Sequence, residues 1–431
     1  MRLCGEEPWK MAVVGAGYVG TVTAVGMAEL GNQVKIYDID EYKMEQLYES
    51  KTHLYEPGID SLLLKHRRLN NIYPTDCIGE LIEDVEIVFI CVGTPNKPDG
   101  GINLDYVKSA CKDLKAAGLK ENVIVVMKST VIPGTTDGII KKEFPNNPVA
   151  FVPEFLREGA ALEDFMKPDR IVIGTKDSVA EVQLGYVYSF FDCPKVFTDA
   201  RNAEMIKYAS NSFMGTKISF INEIAGICEK TGCDVEVVAK GMGLSSHIGE
   251  KALHAGPGWG GSCFPKDSFA LARLARAKGI KTRMIDAARI TNNKQAIHVV
   301  DMCGEVKGRK VAVLGLTFKA NTDDCRDSPA LRIVDELKKR GATLSVYDPK
   351  ASMFGEAMRA EIAYCPNVSS AINKADIVVV ATEWDEFTRL HPDDFEDMRG
   401  TIIVDARRIL NPGKFKRHGF DYRGIGYGKS I

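Results

Sequence analysis

Met11-Ala12-Val13-Val14-Gly15-Ala16-Gly17-Tyr18-Val19-Gly20 is the stretch that decides the fold of this 431-residue chain. A short apolar run, Met11–Val14, reads as a buried strand and enters a glycine-rich turn. An apolar helical stretch follows from Thr21 to Leu30, and a second strand candidate, Gln33–Asp38, closes on an acid. Gly15 permits the tight turn, Gly17 lets a pyrophosphate approach the backbone, and Gly20 lets helix and strand pack closely. The helix N-terminus at Tyr18 and Val19 attracts phosphate charge. Asp38 can accept from both hydroxyls of a ribose and repels a 2′-phosphate. The pattern predicts a dinucleotide site that prefers NAD to NADP; its plainer alternative is a glycine-rich turn with no ligand.

Outward from this stretch, Glu86–Val92, Val123–Val126 and Arg170–Ile173 are further buried-strand candidates. Strands separated by helical segments imply a parallel sheet covered on both faces. From Ala203 to Lys230 the strand signal stops. Ile218, Ile221, Ala225 and Cys228 follow helical spacing, Gly232 is a stop, and Asp234 can cap the next helix. Lys310–Leu314 restarts the α/β pattern, with Leu344–Tyr347, Asp376–Ala381 and Thr401–Val404 after it. The expected fold is α/β, with two Rossmann-like, doubly wound parallel-sheet domains at 1–198 and 307–431. A helical central domain at 199–306, built on a long helix, joins them. The C-terminal domain lacks a full GxGxxG and is not expected to repeat the cofactor site.

The bulk numbers narrow the function. A net charge of −2, with 26% charged residues, gives no global field for nucleic acid or an anionic membrane. An anionic substrate must be held by local cations and backbone amides. No HExxH or CxxC pairing appears, so no metal site is expected. The eleven cysteines are scattered and odd in number, a poor disulfide framework that points to a reducing compartment. The first ten residues do not read as a signal peptide, and no apolar run approaches the ~18 residues of a membrane span. The expected location is the cytoplasm.

Four clusters carry chemistry. Cys263 lies in Gly258-Trp259-Gly260-Gly261-Ser262-Cys263-Phe264-Pro265-Lys266-Asp267. Glycines allow close approach of a ligand, and a cation near a thiol favours the reactive thiolate. Lys207 and Asn211, four apart, share one helix face and can hold a hydroxyl or an oxyanion, unless that face is simply solvated. Glu154 and Glu158 follow a strand end, where a half-buried carboxylate can act as a base toward water. The loops Cys91-Val92-Gly93-Thr94-Pro95 and Lys128-Ser129-Thr130-Val131 follow strands and face the same crevice as the glycine turn.

With these motifs in this order, the chain resembles the UDP-glucose/GDP-mannose dehydrogenases over nearly its whole length, most closely the members that oxidise UDP-glucose. The resemblance rests on Gly15–Gly20, Lys128–Val131, Pro153–Gly159, Lys207–Asn211, Gly260–Asp267 and Phe318–Arg326. It implies that UDP-glucose, two NAD+ and water give UDP-glucuronate and two NADH, through a thiohemiacetal and thioester on Cys263. It implies that Lys207 and Asn211 stabilise the oxyanion, that Asp267 and Thr130 order water, and that Glu154 assists hydrolysis. Cofactor contacts are implied at Asp38, Lys43, Thr94, Pro95, Ser129, Thr130, Glu158, Lys266 and Arg326. Substrate contacts are implied at Glu154, Phe155, Leu156, Arg157, Lys207, Asn211, His254, Gly258, Trp259, Gly260, Phe318, Lys319 and Arg407. A homodimer, or a higher homo-oligomer, around the long helix is implied as well. His247 departs from the family: it stands where the UDP-glucose type usually carries an arginine that reaches the neighbouring subunit's sugar site. Ser262 before the cysteine favours UDP-glucose over N-acetylhexosamines.

Other readings stay open at this point. They are a GDP-mannose or other nucleotide-sugar 6-dehydrogenase, a two-electron β-hydroxyacid dehydrogenase with no need of Cys263, and a non-catalytic NAD and sugar-nucleotide sensor.

Overall fold

The computed structural model describes residues 7–350 and 362–428, so Cys4 lies outside the described residues. The chain forms two compact units. One is Met1–Ser210 with Phe269–Leu274; the other is Asn211–Ser268 with Ala275–Ile431.

The first unit holds eight strands: β1 (Lys10–Val14), β2 (Gln33–Tyr37), β3 (Ile72–Pro74), β4 (Ile87–Ile90), β5 (Ile124–Met127), β6 (Val149–Phe151), β7 (Ile171–Gly174) and β8 (Lys195–Thr198). Their order is β3-β2-β1-β4-β5-β6-β7-β8. Every neighbouring pair is parallel except β6 and β7. Ile-Val-Phe-Ile in β4 and Ile-Val-Val-Met in β5 are buried throughout, as strands covered on both faces must be. The order reverses between β1 and β4, the place where such sheets open a ligand crevice. Val14 pairs with both Tyr37 and Ile90, so the glycine turn emerges there. Helix α1 (Tyr18–Glu29) leaves that turn. A Cβ on Gly20 would stand 1.8 Å from the Gly15 carbonyl oxygen, so the third glycine is required by close packing.

The second unit holds β9 (Lys310–Leu314), β10 (Thr343–Tyr347), β11 (Ala363–Tyr364), β12 (Ile377–Val380), β13 (Ile402–Asp405) and β14 (Asp421–Gly424). They form one parallel sheet in the order β11-β10-β9-β12-β13-β14. Its first turn repeats that of the first unit. The Gly15 N–H donates to the Tyr37 carbonyl at 2.7 Å, and the Gly315 N–H donates to that of Tyr347 at 2.7 Å. Asp38 accepts from the Ala16 N–H and Asp348 from the Leu316 N–H, each at 2.7 Å. The second acid is closed off, however. The Trp384 indole donates to it at 3.2 Å and the Thr317 N–H at 3.0 Å, and it is 2% exposed. Asp348 Oδ2 is already taken by donors of the protein itself.

The long helix runs Ala200–Thr231, 32 residues. It stops at Gly232, whose φ is +75°, and Asp234 caps the helix Val235–Gly243 by accepting from the Glu236 N–H. The helix Phe264–Ala277 begins immediately after Cys263, its N-cap, with Pro265 in the first turn. Sequence patterning did not reveal β3, β8, β11 or β14. β8 is largely exposed and β14 is Asp-Tyr-Arg-Gly, so neither carries an apolar run. Among the described residues no helix is long and apolar enough to cross a membrane.

Candidate active site

In the first unit the glycine turn forms an open cradle. Gly15 has φ +99°, and a Cβ there would meet the Cys91 carbonyl at 2.9 Å. Around Gly17, the N-cap of α1, nothing lies within 4 Å of a Cβ position, and no side chain caps the helix. Asp38 Oδ2 takes the Ala16 N–H and, at 3.2 Å, the Lys43 ammonium; its Oδ1 takes the Asp40 N–H at 3.0 Å. The Thr94 hydroxyl donates to the Thr130 carbonyl at 2.9 Å, and the Ser129 hydroxyl to the Val92 carbonyl at 2.6 Å, which joins the two crevice loops. An open backbone cradle at a helix N-terminus, with an acid at the end of the second strand, fits NAD.

A buried carboxylate cluster completes this unit. The Lys207 ammonium donates to Glu154 Oε1 at 2.8 Å and to the Glu154 carbonyl at 2.6 Å, while the Leu156 N–H donates to Oε2 at 2.6 Å. Burial alone would push the Glu154 carboxyl up. The charge and hydrogen bond of Lys207, the Leu156 N–H and the charge of Lys128 together outweigh it, holding the group below its ordinary value. Burial pushes the Lys128 ammonium down. Phe155 carries cations: the Arg170 guanidinium stands 3.9 Å and the Lys207 ammonium 5.3 Å from its ring centre. Arg157 is engaged with Asp164 at 2.7 Å.

Two buried acids in this unit escaped sequence reasoning. Glu56 is 4% exposed and accepts from the Tyr18 hydroxyl, from the Gly159 N–H at 2.6 Å and from the Ala161 N–H at 2.7 Å. It fastens the turn after Glu158 to the first residue of α1. Glu204 accepts from the Thr136 N–H at 2.8 Å and hydroxyl at 2.7 Å, and from the Gly134 N–H. It ties the segment after Thr130 to the helix that carries Lys207, and burial pushes its carboxyl up. Neither residue stands in a chemical motif; only their contacts reveal them.

The second unit holds the thiol. Cys263 Sγ lies 3.4 Å from the Ser262 hydroxyl, and its carbonyl accepts the Asp267 N–H at 2.9 Å. Asp267 is fully buried and takes the Asn211 amide on Oδ2 and the Lys266 ammonium on Oδ1, each at 2.6 Å. The preceding glycines press against the C-terminal segment. The Gly261 N–H donates to the Arg326 carbonyl at 3.0 Å, and a Cβ on Gly261 would stand 2.9 Å from the Phe318 ring. Trp259 is anchored by its indole on Ser219 at 2.9 Å, and by Asn292, which bonds its N–H at 2.7 Å and its carbonyl at 2.9 Å. Asn222, absent from the sequence reading, accepts the Gly256 N–H at 2.8 Å. Arg407 donates to the carbonyls of Phe318 at 2.8 Å and Ala381 at 2.9 Å. Arg326 forks onto Asp324 at 2.7 and 2.9 Å, Lys319 is half-buried, and His247 and His254 lie exposed.

The chain has counterparts among known proteins. Residues 9–192 match the NAD binding domain of the UDP-glucose/GDP-mannose dehydrogenase family, residues 201–294 its central domain, and residues 312–412 its UDP binding domain. The chain is 41% identical to a UDP-glucose 6-dehydrogenase of Rhizobium meliloti, over 97% of this chain and 99% of that protein. It is 40% identical to one from Bacillus subtilis, over 97% and 93%. A UDP-glucose dehydrogenase from the hyperthermophilic archaeon Pyrobaculum islandicum has a TM-score of 0.90 at 36% identity, over 99% of this chain and all of that one. Fold and site together define an NAD-dependent nucleotide-sugar dehydrogenase. The chain belongs to the UDP-glucose/GDP-mannose dehydrogenase family.

Proposed function

We propose that this enzyme oxidises UDP-glucose at C6 to UDP-glucuronate, using two NAD+ and one water and releasing two NADH. The observation that carries the reading is the thiol of Cys263 at the head of a helix, one turn before a fully buried Asp267 already fastened to Asn211 and Lys266. A two-electron dehydrogenase has no use for that thiol.

Gly15, Gly17, Gly20, Asp38 and the Thr94 and Thr130 loops hold NAD+, which supplies a hydride acceptor. Lys207, hydrogen-bonded to Glu154, stabilises negative charge on the substrate's C6 oxygen, and Asn211 offers an amide to the same end. Cys263 adds to the C6 aldehyde, and its Sγ–C bond survives the second oxidation as a thioester. Asp267 and Thr130 orient the water that breaks this bond. Glu154 is held as a carboxylate and assists its deprotonation, and Cys263 leaves as the thiolate. Lys319 and Arg407 balance the diphosphate charge.

Within this reading residues 1–198 serve the cofactor, 199–306 assembly and 307–431 the nucleotide. Phe213, Phe220 and Ile227 are 64%, 46% and 57% exposed and follow one another every two turns on the long helix. An apolar stripe of this kind suits a homodimer, or a higher homo-oligomer, along that helix. A cytoplasmic location suits the need for a reduced Cys263.

The test is NADH yield per sugar on UDP-glucose, GDP-mannose and UDP-N-acetylhexosamines. Two NADH per UDP-glucose, with little or no turnover of the others, is expected. A ratio of one overturns the thioester route.

A further inference from the structure

The long helix ends with Cys228-Glu229-Lys230-Thr231-Gly232-Cys233. Gly232 is left-handed at φ +75°, and the Cys233 N–H donates to the Cys228 carbonyl at 3.1 Å. A bond from the second residue past the helix back to the fourth from its end is a Schellman closure. Such a closure brings the side chains of its first and last positions into contact. In most helices those positions hold ordinary apolar side chains. Here both positions are cysteines.

The two sulfurs differ in access. Cys228 is 4% exposed and packs with Ile221, Ala225 and Val235. Cys233 is exposed, and the Thr231 hydroxyl lies 3.4 Å from its sulfur. Burial, and then Cys233 and the acids Asp234 and Glu229, push the Cys228 thiol up. Cys233 is therefore the sulfur that meets a reagent, and Cys228 the one that resolves the product.

We infer that Cys228 and Cys233 form a reversible dithiol–disulfide site that reacts with small-molecule disulfides. The Cys233 thiolate attacks one sulfur of a disulfide RSSR, forms a mixed disulfide and expels RS⁻. Cys228 then loses its proton and displaces the second RS⁻. The two protein thiols give up two electrons, RSSR takes them up as two RSH, and one bond closes across the helix end.

That bond would lie at a junction within the second unit. The Cys233 carbonyl accepts from the Gly428 N–H at 2.8 Å, and the Val235 N–H donates to the Gly426 carbonyl at 2.9 Å. Asp234, next along, holds Arg408 at 3.0 Å. Oxidation would make covalent a helix end on which the segment after β14 already rests. Neither cysteine takes part in the reaction proposed above.

The experiment incubates the reduced full-length chain with oxidised glutathione, blocks the remaining thiols under denaturing conditions, and maps the digest by mass. A Cys228–Cys233 linkage within one chain is expected, reversed by dithiothreitol. Cys233→Ser should abolish the linkage and leave NADH turnover unchanged. Full alkylation of Cys228 after treatment overturns the inference. So does Cys233 carrying only glutathione, or either cysteine linked elsewhere.

Discussion

Lys207 grips Glu154 twice, through its carboxylate at 2.8 Å and its backbone carbonyl at 2.6 Å, with side chains 4% and 7% exposed. Lys207 thus anchors the acid and is the largest of the influences that hold it charged against burial. Removing it leaves a buried carboxylate without its main partner, which costs about 3–5 kcal/mol. Lys207→Ala should lower the unfolding free energy by that order in chemical denaturation at neutral pH, besides losing turnover. The depressed Glu154 group adds stability that is present above the ordinary carboxylate range and is lost as pH falls through its lower native value. The gap between wild type and Lys207→Ala should therefore close toward acid. A constant gap would show that the pair does not act through charge.

Cys263 is the second test. Cys263→Ser keeps the helix start, because the N-cap makes no side-chain capping bond there. UDP-glucose and NAD+ should still bind, measured by calorimetry, while formation of the acid falls by about a thousandfold or more. Undiminished NADH production by this variant would falsify the covalent route.

The ribose contact proposed for Asp38 gives a third test. It organises the turn through the Ala16 N–H and ends the second strand as a charged acceptor. A hydrogen bond to a charged group contributes about 1.5–3 kcal/mol. Asp38→Asn should raise KM for NAD+ by roughly tenfold or more and narrow the preference over NADP+. Steady-state kinetics with both cofactors decide it; an unchanged ratio of kcat/KM values removes Asp38 from ribose recognition.

A pH effect away from the chemistry follows from His298. Its Nε2 lies 3.0 Å from Glu229 Oε1, and that hydrogen bond raises its pKa above the ordinary 6.5. A raised histidine contributes stability that is complete below its unfolded value and lost as pH climbs through the folded one. The melting-temperature difference between wild type and His298→Gln should shrink upward from about pH 6.5. A difference that widens with pH would contradict the pairing.

Much of this could be read from residues close together in the chain. The turn at Gly15–Gly20, the stop at Gly232 and the cap at Asp234 are each settled within a few residues, by glycine's access to positive φ and by side chains short enough to reach a local N–H. The edge strands were less legible, since β8 is exposed and β14 polar, so hydrophobic pattern carried no signal.

The sequence by itself determined the chemistry available: a dinucleotide turn with its acid, a thiol among glycines, and a lysine and an asparagine one turn apart. Only the tertiary structure decided how those groups are held. Glu56 meets Gly159 across 103 residues of chain, Glu204 meets Thr136 across 68, and Asn211 meets Asp267 across 56. A buried carboxylate must find donors wherever the fold brings them, so its partners cannot be read from neighbours in sequence. The same reason explains why Asp348, the counterpart of Asp38, is closed off: Trp384, 36 residues away, folds over it.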